Sequence, residues 1–377
     1  MEATFGRWIG RDQGILRHID PTLMFTAIAL STYGLFMVYS ATHQGLASLG
    51  EDPGFYLKKQ LAFLMLGLVA MIITATFDYR LVKVYSGIAF GVVLFLLLLV
   101  LTPIGQETAG AQRWITLFGF QFQPSEFAKL TFVAFLAAYL SELREVRLDN
   151  VWRAAAIAGI PMALIFLQPD VGTTMVFAAV LISLLVVSGA RARHIGIMVL
   201  AAIFGAIIAF HLGIVKDYQI ARLTSFLDPA ADPLRAGYNR AQAEIAIGAG
   251  GLTGKGYLNG TQTNLDFVPE QHTDFVFTVV GEELGFLGAV LLLGLFAVLL
   301  WRGFRTALLS KDTFGTYLAT GIVAMMAFQT FVNVGMTMGI MPVTGIPLPL
   351  VSYGGTSILT NFMAVGLLLN IHMRRFK

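Results

Sequence analysis

Asp274 stands in "PEQHTDFVF" (Pro269–Phe277), the last polar stretch before a long apolar run. Two roles are open to a carboxylate at that boundary. As a helix N-cap, Asp274 or Thr273 would accept bonds from the first free N–H groups, and its charge would suit the positive end of the helix dipole. As a partly desolvated group at a membrane surface, Asp274 would be a general base. His272 beside it either tunes that carboxylate, contacts a substrate, or does neither.

Other charged residues ask the same question. In "QPSEFAKL" (Gln123–Leu130), Pro124 and Ser125 mark a helix start and Glu126 suits the first turn. Lys129 follows on the same face, so the two form either a structural ion pair or a site for an anionic head group. Lys129 falls about one turn into an apolar span, where charge is costly and usually functional. Asp170 in "QPDVG" caps the next helix or belongs to a site. Arg113 in "GAQRWITLFGFQF" (Gly110–Phe122) has the fork geometry to hold a phosphate bidentately. The surrounding alternation predicts an interfacial re-entrant hairpin, with Trp114 at head-group depth. Glu282 and Glu283 of "GEELG" fall about 12 Å into a span at 1.5 Å per residue, where interhelical hydrogen bonds account for at least one of them.

Those residues need a scaffold, and composition defines it. Hydrophobic residues make up 56% of the 377 and charged residues 12%, with mean hydropathy +0.75. A soluble domain cannot bury that much apolar surface, so the bilayer is the solvent. The chain reads as an all-α integral membrane protein, one domain over 1–377. Ten spans are expected, at about 22–40, 59–77, 81–101, 124–140, 154–168, 170–187, 195–212, 274–301, 314–340 and 353–372. The fifth and sixth form a tight hairpin at Gln168–Asp170. With both termini cytoplasmic, sixteen Lys and Arg lie inside and eight outside, most of the latter in one long loop. The absence of cysteine removes disulfides and thiol chemistry. A net charge of +3 and the lack of a recognisable motif argue against a nucleic-acid partner.

On that topology Arg113, Glu126, Asp170, Arg222 and Asp274 all lie at outer span ends or in outer loops. A secondary transporter would place such groups near the midplane between inverted repeats, and no internal repeat is evident. The extracytoplasmic loop before the eighth helix, about 213–273, is too long for a plain connector. "YNRAQAEIAIG" (Tyr238–Gly248) predicts three helical turns, stopped by glycines, and the rest a hairpin or flexible flap. "GAGGLTGKG" (Gly248–Gly256) is a poor phosphate loop, since no strand precedes it and no Lys-Ser/Thr pair ends it.

Together "GAQRW", "FQPSEFAKL", "QPDVGT", "DYQIARL", "DPLRAGYNRAQAEIAIGAGGLTGKG", "GTQTNLDFVPEQHTDFVFTVVGEELG" and "MPVTGIPLPLVSYGGTS" resemble the SEDS family (shape, elongation, division and sporulation) over nearly the whole chain. The "GKG…GTQ" and "TGIPLPLVSYGG" stretches look more like its rod-shape branch than its division branch. Gln121 departs from the Arg of some rod-type members. The resemblance implies a peptidoglycan glycosyltransferase of the cytoplasmic membrane, joining lipid II at the outer face. It implies a class B penicillin-binding protein as partner within the elongation complex. It puts the catalytic aspartate on Asp274 and functional Glu and Lys on Glu126 and Lys129. Arg113, Asp170, Arg222 and His272 are expected to line the substrate site. Mg²⁺ or Mn²⁺ is implied only by the family and the leaving group. A lipid II flippase is the alternative.

Overall fold

The computed structural model describes residues 18–108, 111–117, 120–211, 213, 226, 236–265 and 267–375. The expected spans appear as helices α1 (Pro21–Ser48), α2 (Phe55–Thr76), α3 (Tyr79–Val100), α4 (Pro124–Ser141), α5 (Leu148–Leu167), α6 (Val171–Val187) and α7 (Ala192–His211). After the long loop come α8 (Ala236–Gly250), α9 (Thr261–Asn264), α10 (Val276–Glu283), α11 (Gly285–Leu308), α12 (Thr313–Thr337) and α13 (Gly355–Arg374). Of these, α1, α2, α3, α5, α11, α12 and α13 are long and apolar enough to cross a membrane. α4, α6 and α7 occupy three further expected positions but fall outside that set; α6 is the shortest, with 17 residues. The chain is a multi-pass membrane protein.

Three expectations change. The all-α reading needs an amendment, because Gln106–Thr108, Ala111–Leu117 and Phe120–Phe122 form an antiparallel sheet, β1-β2-β3. Alternating side chains made this segment an expected hairpin, and paired strands are its realisation. Second, the eighth span is broken: α10 ends at Glu283, and Gly285, the first residue of α11, takes φ 64°. Third, the loop is built rather than slack over its described second half, as shown below.

Burial sorts the helices. Only 22% of the apolar window of α3 is buried in the protein, against 89% for α13 and 61% for α12. α3 therefore presents its apolar surface to lipid, while α12 and α13 form the centre with α4. Central helices can carry polar side chains that lipid would reject. Gln329 and Asn333 of α12 and Asn361 of α13 are buried accordingly. At the end away from the long loop, ion pairs join helix termini: Arg302 donates to Asp20, and Arg374 to Asp78.

Candidate active site

Asp274 is half-buried at the loop end of the bundle, immediately before α10. The N-cap position of α10 belongs to Phe275, one residue later, and Phe275 offers no side-chain cap. Asp274 instead faces the segment 339–354, which joins α12 to α13. A Cβ added to Gly345 would stand 3.1 Å from Asp274 Oδ2. Gly345 has φ 73°, a conformation that glycine adopts freely and L side chains resist. The Asp274 carbonyl accepts from Asn333 Nδ2 at 2.8 Å, and the same amide donates to the Ile346 carbonyl, also at 2.8 Å.

Segment 339–354 gathers the other pieces. Gly172, at the start of α6, packs against Thr344 and Ile346 so closely that a Cβ there would meet the Thr344 carbonyl at 2.9 Å. Asp170 is the N-cap of α6: it accepts from Thr173 N at 3.0 Å and from Thr173 Oγ1 at 2.9 Å. The capping role expected for it is therefore observed. Arg113, on β2, donates Nε to the Gln168 carbonyl at 3.1 Å and Nη2 to the Pro169 carbonyl. Its guanidinium fork clasps the turn that presents Asp170. His272 forms a three-ring cluster with Tyr56, at 4.8 Å, and Tyr353, at 5.5 Å, the two tyrosines being 5.0 Å apart, while its carbonyl accepts from Tyr353 N. Burial, with Tyr56 adding to it, pushes the Tyr353 hydroxyl up to about 12, which keeps it a neutral donor.

Glu126 and Lys129 form the expected i,i+3 pair at 2.7 Å, with each side chain only 3% exposed. Burial of two charges costs several kcal/mol per ion, which the mutual attraction has to offset. Glu126 Oε2, Ser125 Oγ, Asn333 Oδ1 and both amide atoms of Gln329 are buried without a protein partner. Helix register brings two of these to one level. Gly321 of α12 meets Val133 of α4, a Cβ there falling 2.6 Å from Val133 Cγ1. Counting toward the loop end, Glu126 lies about 10 Å further along α4 and Gln329 about 12 Å further along α12. Buried polar groups without partners are rare and mark sites where water or a ligand belongs.

The long loop is fastened by the two glutamates. Glu282 accepts from Lys255 Nζ (2.7 Å), from the backbone N–H groups of Gln262 and Thr263 (2.8 and 2.9 Å) and from the Thr261 and Thr263 hydroxyls. Glu283 accepts from Ser40 Oγ at 2.6 Å and from Leu258 N and Gly260 N. One of those bonds is interhelical; the others hold the loop. α8 lies directly on this segment, and a Cβ on Gly250 would overlap the Gly281 carbonyl. Of the "GAGG" glycines, Gly250 thus serves backbone approach, and Gly251 takes φ 57°.

Arg222 lies outside the described residues. Among the described residues no three His, Asp or Glu side chains gather as a metal site. An apolar cavity of about 190 Å³ lies between α2, β3, α4 and α13, lined by Phe63, Leu66, Phe120, Phe127 and Leu359. Sequence reading had missed Gly345, Asn333 and Tyr353. The Gly- and Pro-rich "MPVTGIPLPLVSYGG" was the only signal for Gly345 and Tyr353, nothing in it says which residue meets Asp274, and Asn333 had none.

An apolar bundle with its buried polar centre near one end, under a fastened loop, defines a polytopic membrane protein built for work at one membrane surface. The chain belongs to the FtsW/RodA/SpoVE family of cell cycle proteins, whose model matches residues 21–377. It is 40% identical to stage V sporulation protein E of Bacillus subtilis, over 93% of this chain and 96% of that protein. It is 39% identical to the peptidoglycan glycosyltransferase MrdB of Escherichia coli K12, over 95% and 94%. A solved peptidoglycan synthase complex, described as coordinating polymerisation and crosslinking, contains a chain matching with TM-score 0.79 and 32% identity, covering 95% of this chain and 99% of that one. The rod shape determining protein RodA of Thermus thermophilus matches with TM-score 0.71 and 31% identity, covering 95% and 98%.

Proposed function

We propose that this chain polymerises lipid II into peptidoglycan glycan strands at the extracytoplasmic face of the cytoplasmic membrane. The observation that carries the reading is the meeting at Asp274 of Asn333 of α12 and Gly345 of segment 339–354, itself packed on the start of α6, in a chain of this family. The donor is an α-linked sugar diphosphate on a polyprenyl tail, and the product bond is β. Inversion needs one displacement and one base, by the logic that separates inverting from retaining glycosidases. Asp274 takes the proton from the 4-hydroxyl of the acceptor GlcNAc as that oxygen attacks the donor's anomeric carbon. The bond from that carbon to the diphosphate oxygen breaks, and the polyprenyl diphosphate leaves with the electron pair.

Charge then develops on the diphosphate, and cations stabilise it. Lys129 and Arg222 are the side chains assigned to it, while Arg113 holds the turn that carries Asp170. His272, packed beside Tyr56 and Tyr353, presents a polar edge to the substrate sugars. The apolar cavity lined by Phe63, Leu66 and Leu359 lodges part of a polyprenyl tail. The fastened loop covers the head groups.

Within the family we assign the chain to cell elongation, alongside a class B penicillin-binding protein and the other membrane proteins of the elongation complex. The "GKG…GTQ" and "TGIPLPLVSYGG" stretches and the likeness to solved RodA support that branch. The deciding experiment follows glycan polymer formed from labelled lipid II by the purified chain with its transpeptidase. Asp274→Asn abolishes polymer while folding and partner binding persist; polymerisation at the wild-type rate by that variant sinks the base assignment.

A further inference from the structure

The Asn333 side chain is a clip between two stretches of backbone. Its Nδ2 lies 2.8 Å from the carbonyl of Asp274 and 2.8 Å from the carbonyl of Ile346. Two acceptors on one side fix the amide's orientation, because only the NH₂ group can satisfy both. Asn333 is fully buried on α12, a central helix, so the clip has a rigid anchor. The Asp274 carbonyl is available for this bond because the first turn of α10 does not take it up: Thr278 N–H turns to the Phe275 carbonyl instead, at 2.9 Å. Pro347 follows Ile346 and has no N–H of its own to offer.

What the clip joins is chemically specific. One carbonyl belongs to the residue bearing the proposed base. The other belongs to the neighbour of Gly345, whose α-carbon bounds the space around that carboxylate. We propose that Asn333 is a positioning residue for the transfer step: by tying both backbones to α12, it sets where the Asp274 carboxylate stands relative to the acceptor hydroxyl. Asn333 itself touches neither substrate nor proton. The inference rests on the reading of Asp274 as the base.

A matched control exists at the opposite end of the bundle. Asn370 on α13 makes the same kind of clip, its Nδ2 donating to the carbonyls of Thr74, at 2.8 Å, and Phe77. Asn370→Ala removes those two hydrogen bonds far from Asp274, and with them the two that Asn370 Oδ1 accepts from Tyr79 N and Arg374 Nε, so it is the structurally harsher change. The experiment compares full-length wild type, Asn333→Ala, Asn333→Asp and Asn370→Ala, purified with the transpeptidase partner. It measures Tm, and kcat and KM for lipid II polymerisation. Both alanine variants lower Tm, Asn370→Ala by at least as much as Asn333→Ala. Only Asn333→Ala lowers kcat, by about ten-fold or more, with KM held within about three-fold, as displacement of a reacting group demands. Asn333→Asp, which as a buried neutral acid donates to one carbonyl only, falls between wild type and Asn333→Ala in kcat.

The proposal is overturned if Asn333→Ala retains kcat within about two-fold of wild type, or loses no more kcat than the harsher Asn370→Ala does. Should Asn333→Ala fail to insert, Asn333→Asp against Asn370→Ala decides on the same criterion. An active Asp274→Asn variant defeats the base assignment. An inactive Asp274→Asn beside a normal Asn333→Ala defeats only the positioning role.

Discussion

Gly345 lies against the carboxylate of Asp274, with room between them for a hydrogen atom but not for a methyl group. A Cβ at Gly345 would be 3.1 Å from Oδ2, and the backbone there has φ 73°. The glycine is thus both a conformational requirement and one wall of the site. Gly345→Ala adds about 1–2 kcal/mol of left-handed strain and pushes the carboxylate aside by a few tenths of an ångström. Polymerisation falls by about ten-fold or more, since positional errors at a reacting group are costly. Kinetics of the purified variant check this; a drop in Tm with an unchanged rate per folded molecule would confine Gly345 to a structural role.

The buried pair of Glu126 and Lys129 separates stability from function. Lys129→Met leaves an uncompensated buried carboxylate and costs about 3–5 kcal/mol. The double variant Glu126→Gln, Lys129→Met removes both charges and recovers most of that loss. Glycan synthesis stays abolished in both if Lys129 meets the diphosphate. Thermal unfolding and polymer yield, measured on the same samples, check the two halves separately. Normal synthesis by the double variant would make the pair purely structural.

Glu282 holds the loop with one ion pair and several hydrogen bonds. Bonds to a charged group are worth about 1.5–3 kcal/mol each. Glu282→Gln turns an NH₂ group toward N–H donors and releases the stretch 255–263. Amide hydrogen exchange there rises by at least about ten-fold, while α12 and α13 stay protected. Unchanged exchange in that stretch would mean that other contacts fasten the loop.

The apolar cavity beside β3 and α13 offers a test of tail binding. Leu359→Trp fills part of its volume of about 190 Å³. KM for lipid II rises several-fold with kcat little changed, the pattern of lost uniform binding. Steady-state kinetics across lipid-linked donors of different tail length check this, with the shortest tails least affected.

Much of the molecule was legible in its sequence for clear physical reasons. Hydropathy located the spans because lipid accepts only apolar helices there. "QPSEF" and "QPDVG" gave a helix start and a cap because those signals act within four residues. The pair of Glu126 and Lys129 followed from helical periodicity alone. In each case the causes are local, so spacing along the chain carries the information.

Tertiary structure decided the rest. From spacing "HTDFVF" read as a cap before it read as a base, and only the packed bundle moves the cap to Phe275 and brings Gly345 to the carboxylate. Glu282 and Glu283 read as mid-span residues; folding returns the loop across a helix break at Gly285, so that both clasp it. Arg113 read as a phosphate ligand and is found on two carbonyls some 55 residues away in the chain. Asn333 carried no signal at all, because a clip is defined by the two backbones it joins, 59 and 13 residues distant in sequence. Sequence determined which residues could do the chemistry and roughly how deep they lie. Only close packing of α4, α6, α10 and α12 around segment 339–354 decided which of them meet.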